Sequence, residues 1–269
     1  ALSESNNSIL CTDIEVSSLF RTQISTGTRS VISDGTTGAG RKLRRPVRVT
    51  RTIEASPIPH EIPTIPILDC LVLDTSIPGI LEIDLSSGDR TEISLSGIGT
   101  GPLFKFPTDL VIDNSTSAIY VSNRGPNHII KVDYLTGNRT VLSGDTVGGG
   151  IGLQIPTGIE LDKPNNRLLI TDRNIQALIE VDLTTGDRNI ISTPFTGSGL
   201  PFKSPNSLEY VSTSGEAYIT NGDTEAFHSS FNTRLDLTLQ SSRDSITNSF
   251  TDFVQNIENV DAMYWDVWT

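Results

Sequence analysis

Hydrophobic and polar residues alternate in short segments along most of the chain. Between residues 155 and 192, Ile159 and Leu161, and then Leu168 and Ile170, occupy every second position. A two-residue period is that of a β-strand. The segments are five or six residues long and are separated by turn-forming Asp, Asn, Pro and Gly residues. This stretch predicts four short antiparallel strands, and nowhere in the chain is a helical period sustained.

Three markers repeat along the chain with one common spacing. The motifs LSSGDR, YLTGNR and LTTGDR place glycines 49 residues apart, and ISTGTR places another 61 residues earlier. The second strand of each unit ends, with the same spacings, on Asp13, Asp74, Asn123, Asp172 and Asn221. A Gly-x-Gly pair precedes the first strand at Gly38 and Gly40, Gly99 and Gly101, Gly148 and Gly150, and Gly197 and Gly199. Units of about 50 residues with four strands are typical of propeller blades.

The repeat predicts an all-β propeller of four-stranded antiparallel blades, forming one domain over residues 1–269. Five blades are expected, at 1–33 with 254–269, 34–94, 95–143, 144–192 and 193–250; a sixth blade, the alternative, would need sequence outside this chain. Residues 1–33 contain no first strand. The C-terminal segment around Val260 and Asp266 aligns with Pro156 to Asp162, so it is predicted to supply that strand and close the ring.

Composition narrows the function classes. A formal net charge of -12 disfavours nucleic-acid binding, which needs clustered cations, and the absence of 18 consecutive apolar residues excludes a membrane-spanning helix. Two cysteines are too few for a disulfide framework or a zinc site. Cys11 and Cys70 lie near the second strands of adjacent blades, so they either form one bridge or are buried thiols, the commoner state. We expect an extracytoplasmic protein, in which three Asn-x-Ser/Thr sequons would be relevant.

The blade pattern combines Gly-x-Gly, then P-x-x-I/L-x-x-D, a strand ending in Asp or Asn, and VDLTTGDR. Over essentially the whole chain it resembles the NHL-repeat and SMP-30/gluconolactonase-like propellers. The resemblance implies the fold, from whose usual six blades this chain departs. That group includes metal-dependent lactonases, esterase-like enzymes, strictosidine synthase relatives and non-catalytic binding propellers, so the resemblance leaves the chemistry open.

Candidate catalytic chemistry lies on the propeller face where the loops before the first strands and after the second strands open. Oxygen donors converging there could hold Ca²⁺ or another divalent cation, and a channel metal in the lactonase-like relatives polarises a carbonyl and activates water. Asp109 and His228 are the candidate acid or base. The candidate metal ligands are Glu160, Glu209, Asn123, Asp172 and Asn221. Alternatively, the recurring Asp and Asn residues cap turns, and the acidic residues of the first strands point between blades toward Arg or Lys.

Two further repeated features are interpreted as structural. The Gly-x-Gly loops are better explained by backbone geometry than by phosphate binding, because four copies exist and no helix follows them. The recurring Asp84, Asp133 and Asp182, with Arg90, Arg139 and Arg188, are interpreted as a repeated turn and charge pair on a hairpin, worth about 0 to 1 kcal/mol each when exposed.

The second blade departs from the repeat in two ways. Its first strand follows a basic run of Arg41, Lys42, Arg44, Arg45, Arg48 and Arg51, and a proline-rich insertion follows at 52–63, expected to be an extended surface loop. The run either binds an anionic polysaccharide, a phosphate group or an acidic partner, or pairs with acidic neighbours.

The favoured function is a non-catalytic binding or scaffold propeller that presents its loop face to a protein or glycan partner. Arg41, Lys42, Arg44 and Arg45 are the candidate contacts with that partner. The alternative is a metal-dependent lactonase or esterase-like hydrolase, and the sequence leaves open whether the protein is an enzyme.

Overall fold

The computed structural model describes residues 2–3, 8–51, 69–199, 201–222, 231–236 and 242–246. These residues form five β-sheets, and the helix within them is a single 3-10 turn at Lys163–Asn165. Four of the sheets have four strands, and the fifth gains one short strand. The predicted all-β class with four-stranded antiparallel sheets is therefore confirmed.

The first two sheets keep their strands in chain order. The first contains β1 (Leu2–Ser3), β2 (Ser8–Asp13), β3 (Ser18–Gln23) and β4 (Arg29–Ser33). The second contains β5 (Pro46–Arg51), β6 (Asp69–Asp74), β7 (Gly79–Asp84) and β8 (Arg90–Ser94).

The third and fourth sheets also keep chain order, whereas in the fifth sheet a short additional strand lies beside the last strand. The third contains β9 (Pro107–Asp113), β10 (Ala118–Asn123), β11 (His128–Asp133) and β12 (Arg139–Ser143). The fourth contains β13 (Pro156–Asp162), β14 (Arg167–Asp172), β15 (Ala177–Asp182) and β16 (Arg188–Ser192). The fifth contains β17 (Ser198–Gly199), β18 (Pro205–Val211), β19 (Glu216–Asn221), β20 (Phe231–Asp236) and β21 (Ser242–Ile246), with β17 parallel to β21.

The chain divides into two compact units, residues 1–121 with 131–140, and residues 122–130 with 141–269. In the second unit, a core cluster joins the fourth and fifth sheets: Leu169, Leu178, Phe202, Leu208, Ala217 and Ile219. Gly158 permits this packing, because a Cβ there would lie 2.7 Å from the backbone nitrogen of Leu208. In the first unit, β6 is buried on both faces from Cys70 to Asp74.

The first sheet differs from the prediction at its first strand. The sequence predicted that residues 1–33 lack this strand, but Leu2–Ser3 pairs antiparallel with Ile9 and Ser8 of β2. This pairing covers only the beginning of β2, whereas β5 pairs with β6 from Cys70 to Asp74. The predicted C-terminal closing strand lies outside the described residues, so ring closure, the blade bounds and the number of blades stay predictions.

In three of the sheets, a buried arginine at the start of the last strand binds the loop that precedes the first strand, and so fastens this loop to the sheet. In the third sheet, Arg139 is 4% exposed, and its Nη1 donates to Ser94 Oγ at 2.6 Å and to Ile98 O at 2.8 Å. Its Nε donates to Pro102 O at 2.7 Å. Arg90 and Arg188 bind the carbonyls of their own preceding loops in the same way.

The predicted charge pair with the aspartate of the same hairpin is therefore wrong for these arginines. Their guanidinium groups turn inward to carbonyl oxygens, whereas the aspartates act within the turns alone: Asp84 accepts hydrogen bonds from the backbone N–H groups of Ser86 and Ser87 at 2.7 and 2.9 Å. The Ser86 hydroxyl, with these N–H groups, lowers the pKa of Asp84. Burial lowers the pKa of Arg139 from its ordinary value, because desolvation disfavours the charged guanidinium.

The Gly-x-Gly loops run along the outer edge of the sheet that follows them. In the fourth sheet, Arg188 donates its backbone N–H to Gly149 O at 2.9 Å, and Gly150 forms a parallel bridge with Arg188. Gly148 has φ +73°, and a Cβ there would lie 1.9 Å from Gly186 O. The interpretation that these glycines serve backbone geometry is supported, because no larger residue fits between the two backbones.

Candidate functional site

In the second and fourth sheets, the residue that ends the second strand binds both the loop before the first strand and the turn after the second strand. Asp74 Oδ2 accepts hydrogen bonds from the backbone N–H groups of Arg44 and Arg45 at 2.7 and 2.9 Å. Its Oδ1 accepts from Ser76 and Ile77 in the following turn at 2.9 and 3.1 Å. One buried carboxylate thus fixes two surface segments at the same end of the sheet.

The same arrangement recurs in the fourth sheet. Asp172 accepts hydrogen bonds from the backbone N–H groups of Gln154 and Ile155 on one side and of Asn174 and Ile175 on the other, at 2.8 to 3.1 Å. These bonds show that Asp74 and Asp172 cap turns, as one of the two interpretations from the sequence held.

We expect Asp172→Ala to lower the free energy of unfolding by about 3 kcal/mol, because four N–H groups would lose their acceptor. Asp172→Asn should cost less, since an amide stands at the matching positions Asn123 and Asn221. Urea unfolding measures both losses. The exposed Asp145, replaced by Ala, is the control, and an Asp172→Ala loss no larger than that of the control would contradict the capping role.

The other candidate metal ligands and the second candidate acid or base are placed as follows. Glu160 lies on β13 opposite Leu169, and Glu209 lies on β18 opposite Tyr218; both are half-buried. Asn123 and Asn221 are buried at the ends of β10 and β19. His228 lies outside the described residues.

A metal centre gains no support from this geometry. In the part of the chain that the structure describes, no three His, Cys, Asp or Glu side chains gather as a metal site would require. The oxygens of Asp172 accept backbone hydrogen bonds, which supports the turn-capping interpretation of this residue. The metal set and the acid or base role of His228 stay predictions.

Asp109 forms a buried ion pair with Arg48. The Nε of Arg48 lies 2.9 Å from Asp109 Oδ1, and the two side chains are 6% and 9% exposed. The same Oδ1 accepts the backbone N–H of Leu110 at 2.8 Å. The pair joins β5 to β9, so Asp109 points between two sheets toward an arginine, as the alternative interpretation proposed. A shared register could have revealed it, since each residue lies two positions after its proline, Pro46 or Pro107.

A double-mutant cycle tests the value of this pair. We expect Asp109→Leu alone to lower the free energy of unfolding by about 3 kcal/mol, because it leaves the Arg48 charge buried without its partner. Arg48→Met with Asp109→Leu should recover part of that loss, since it removes both charges together. Additive single and double effects would contradict a direct interaction.

The structure places the residues of the basic run in different environments. Arg48 is buried in the ion pair, and Arg41 pairs with Glu92 while half of its side chain is exposed. Lys42, Arg44 and Arg45 are exposed, and no ion pair within the described ranges engages them. The insertion 52–63 lies outside the described residues.

Sequence reasoning missed an apolar group on the loop before β9. Leu103 is 54% exposed and Phe106 is 71% exposed, whereas Phe104 between them is buried under the guanidinium of Arg139. Phe106 has φ +54°, a left-handed conformation that costs energy for a bulky residue. Aligning the four loops on their closing prolines could have singled out this residue, because Ile155, Ser204 and Arg45 occupy the same position.

The cysteines do not contribute a site. Cys11 and Cys70 are both free thiols, the first half-buried and the second buried. Burial raises the pKa of Cys11 from its ordinary value, because desolvation disfavours the thiolate, the reactive form of the side chain.

Comparisons with known proteins place this geometry within a fold. No family model matches the sequence, and no curated protein matches it either. The chain is similar to a chain in the crystal structure of a nidogen/laminin complex, with 17% sequence identity and a TM-score of 0.62 over 88% of this chain and 77% of that one. At this identity the likeness shows the fold alone.

The repeated four-stranded sheets and the structural likeness together define the protein as a β-propeller. Within the described residues, no helix has the length and apolar character needed to cross a bilayer.

Proposed function

We propose that this chain is a non-catalytic protein-binding propeller that presents its loop end to a partner. The observation that carries the proposal is the exposed basic segment Lys42 to Arg45, whose backbone is fixed by Asp74 while its charged side chains are exposed. A fixed backbone reduces the ordering cost of binding, and exposed cations steer an acidic partner. The similar chain was solved in a nidogen/laminin complex, which is in keeping with a protein partner.

The proposal includes the finer features expected from the sequence. These are the likeness to NHL-repeat and SMP-30-like propellers, supported by the blade pattern, and an extracytoplasmic location, for which Asn114 and Asn138 supply sequons. Arg41 belongs to the proposed surface through its exposed half, although it also pairs with Glu92. A glycan partner and the metal-dependent hydrolase stay predictions, since no described observation favours either.

The experiment compares affinity capture by the wild-type chain and by Lys42→Ala/Arg44→Ala/Arg45→Ala. The control is Lys203→Ala, which removes an exposed cation from the same place as Arg44 in the loop before β18. Captured proteins are then tested as purified pairs by calorimetry. We expect the triple variant alone to weaken binding by about tenfold or more. Equal binding by all three chains would overturn the role of this surface.

The same purified protein allows a test of the alternative. Elemental analysis after dialysis without chelator would give about one Ca²⁺ or other divalent cation per chain if the hydrolase prediction is right. Loss of that metal in Glu160→Gln or Glu209→Gln would then assign the ligands.

A further inference from the structure

We propose that the partner segment bound at the loop end is an acidic peptide carrying a bulky apolar side chain. The inference rests on the proposed function and names the chemistry of the partner. Its site is a basic-apolar patch, defined here as Lys42, Arg44, Arg45, Leu103 and Phe106. The patch is contributed by the loops before β5 and β9, both in the first compact unit.

The two loops lead into β5 and β9, which lie beside each other, at the same end of both strands. The 2.9 Å contact between Arg48 Nε and Asp109 Oδ1 holds β5 beside β9 two residues after the proline that begins each strand. Arg45 and Phe106 are the residues immediately before those prolines. A basic loop and an apolar loop therefore begin side by side at the same end of the two sheets.

The apolar half is not required by the fold. Phe106 adopts φ +54° with 71% of its surface exposed, and Ser204 adopts φ +50° at the matching position before β18. A serine thus sustains the same loop conformation, so the ring of Phe106 contributes to something other than the turn. Strained backbone with an exposed aromatic residue is typical of binding sites, where aromatic side chains supply much of the contact energy.

The basic half is held ready for an anion. The backbone N–H groups of Arg44 and Arg45 are fixed by Asp74, and Arg44 O accepts the Ser17 hydroxyl at 2.6 Å. This last bond brings the turn between β2 and β3, with Val16 57% exposed, against the same loop. A concentration of positive charge in a chain of net charge -12 favours a negatively charged ligand at this place.

The combination of cations and apolar side chains in the patch determines which class of ligand fits it. A sulfated or carboxylated polysaccharide would pair with the cations but would leave Leu103 and Phe106 exposed to water. A peptide with Asp or Glu beside Leu, Phe or Trp satisfies both halves of the patch, with carboxylates on the arginines and the apolar side chain against the ring. Charge complementarity and apolar contact thus favour an acidic peptide over a glycan.

The test uses a random-peptide display library selected on the immobilised full chain. We expect the enriched peptides to combine carboxylates with an apolar or aromatic residue. A synthetic copy of the most enriched peptide should bind Arg44→Ala/Arg45→Ala and Phe106→Gly at least about tenfold more weakly than the wild type, measured by fluorescence anisotropy.

Matched controls distinguish binding at the patch from a general effect of losing an exposed cation or an exposed aromatic side chain. Lys203→Ala removes a cation from the loop before β18, and Phe195→Ala removes an aromatic side chain that is 97% exposed on another loop. Both should bind the peptide as the wild type does. Phe106→Gly relieves the left-handed strain, so its thermal midpoint should be unchanged or higher, and a loss of binding cannot then be ascribed to unfolding.

Each other outcome overturns the inference in a distinguishable way. Enriched peptides that bind the patch variants and the wild type equally would reject this patch while leaving a protein-binding propeller in place. If no peptide is enriched but heparin binds the wild type and not Arg44→Ala/Arg45→Ala, the ligand is an anionic polysaccharide, and the proposed protein-binding function falls with the inference.

Discussion

Replacing Arg139 by alanine is expected to lower the free energy of unfolding by about 4 kcal/mol. The guanidinium is 4% exposed and donates to Ser94 Oγ and to the carbonyls of Leu95, Ile98 and Pro102. Removing it leaves several buried acceptors without a donor and opens a cavity between the loop and the sheet, and both effects are costly. Equilibrium urea unfolding measures the loss.

The matched control is Arg29→Ala. Arg29 begins β4 as Arg139 begins β12, but its side chain is exposed, so its loss should change stability by no more than about 0.5 kcal/mol. Arg139→Lys should lose an intermediate amount of stability, because lysine keeps the positive charge but has a single terminal nitrogen. It lacks the planar guanidinium, whose Nε and Nη atoms donate to several acceptors at once. Equal effects at Arg139 and Arg29 would contradict the fastening role.

Replacing Gly148 by alanine is expected to cost about 4 kcal/mol or to prevent folding at ambient temperature. The residue has φ +73°, and the added Cβ would lie 1.9 Å from Gly186 O and 2.3 Å from Gly186 C. Strain in the left-handed region accounts for about 1 to 2 kcal/mol of the loss. The backbone of Gly186 must also move away, at a cost typical of overpacking, about 1 to 3 kcal/mol.

Two other glycines separate these contributions. Gly27 also has a positive φ, +66°, but nothing lies within 4 Å of an added Cβ. Gly27→Ala therefore measures the conformational cost alone. Gly152→Ala lies in the same loop as Gly148, also in open space, and should be neutral or slightly stabilising. Thermal unfolding midpoints should therefore rank Gly152→Ala highest and Gly148→Ala lowest. A Gly148→Ala midpoint equal to that of Gly27→Ala would show that the loop does not contact the turn closely.

The strands and their ends could be predicted because they depend on local signals. Alternation identifies the strands, and the residues Asp13, Asp74, Asn123, Asp172 and Asn221 that end the second strands do so in the structure. These aspartates and asparagines recur because each unit faces the same backbone problem, and the structure shows the solution for Asp74 and Asp172 directly. Repetition thus reveals what every unit needs.

The candidate surface was harder to predict because its contacts are not local. The sequence predicts that Arg139 pairs with the aspartate of its own hairpin, because its true acceptors lie about 40 residues earlier in the sequence, where no periodicity links them to it. Within the run from Arg41 to Arg51, composition alone does not distinguish the buried Arg48 from the exposed Arg44 and Arg45; the register that Arg48 shares with Asp109 is the signal that does. Phe106 was overlooked because hydrophobicity alone does not distinguish an exposed ring from the buried Phe104 two residues before it.

In these three sheets, the last strand is bound to a loop that lies earlier in the sequence, and this order affects how the sheets can form during synthesis. Arg90 binds Thr37 O and Gly38 O, Arg139 binds Ile98 O, and Arg188 binds Val147 O, so in every case the acceptor has already been synthesised when the arginine appears. A nascent chain therefore holds all the residues that seal the outer edge of a sheet as soon as its last strand leaves the ribosome. In these three sheets the start of the outer strand would then already be hydrogen-bonded to the earlier loop during the seconds in which the rest is translated, which leaves less of that edge open to neighbouring chains.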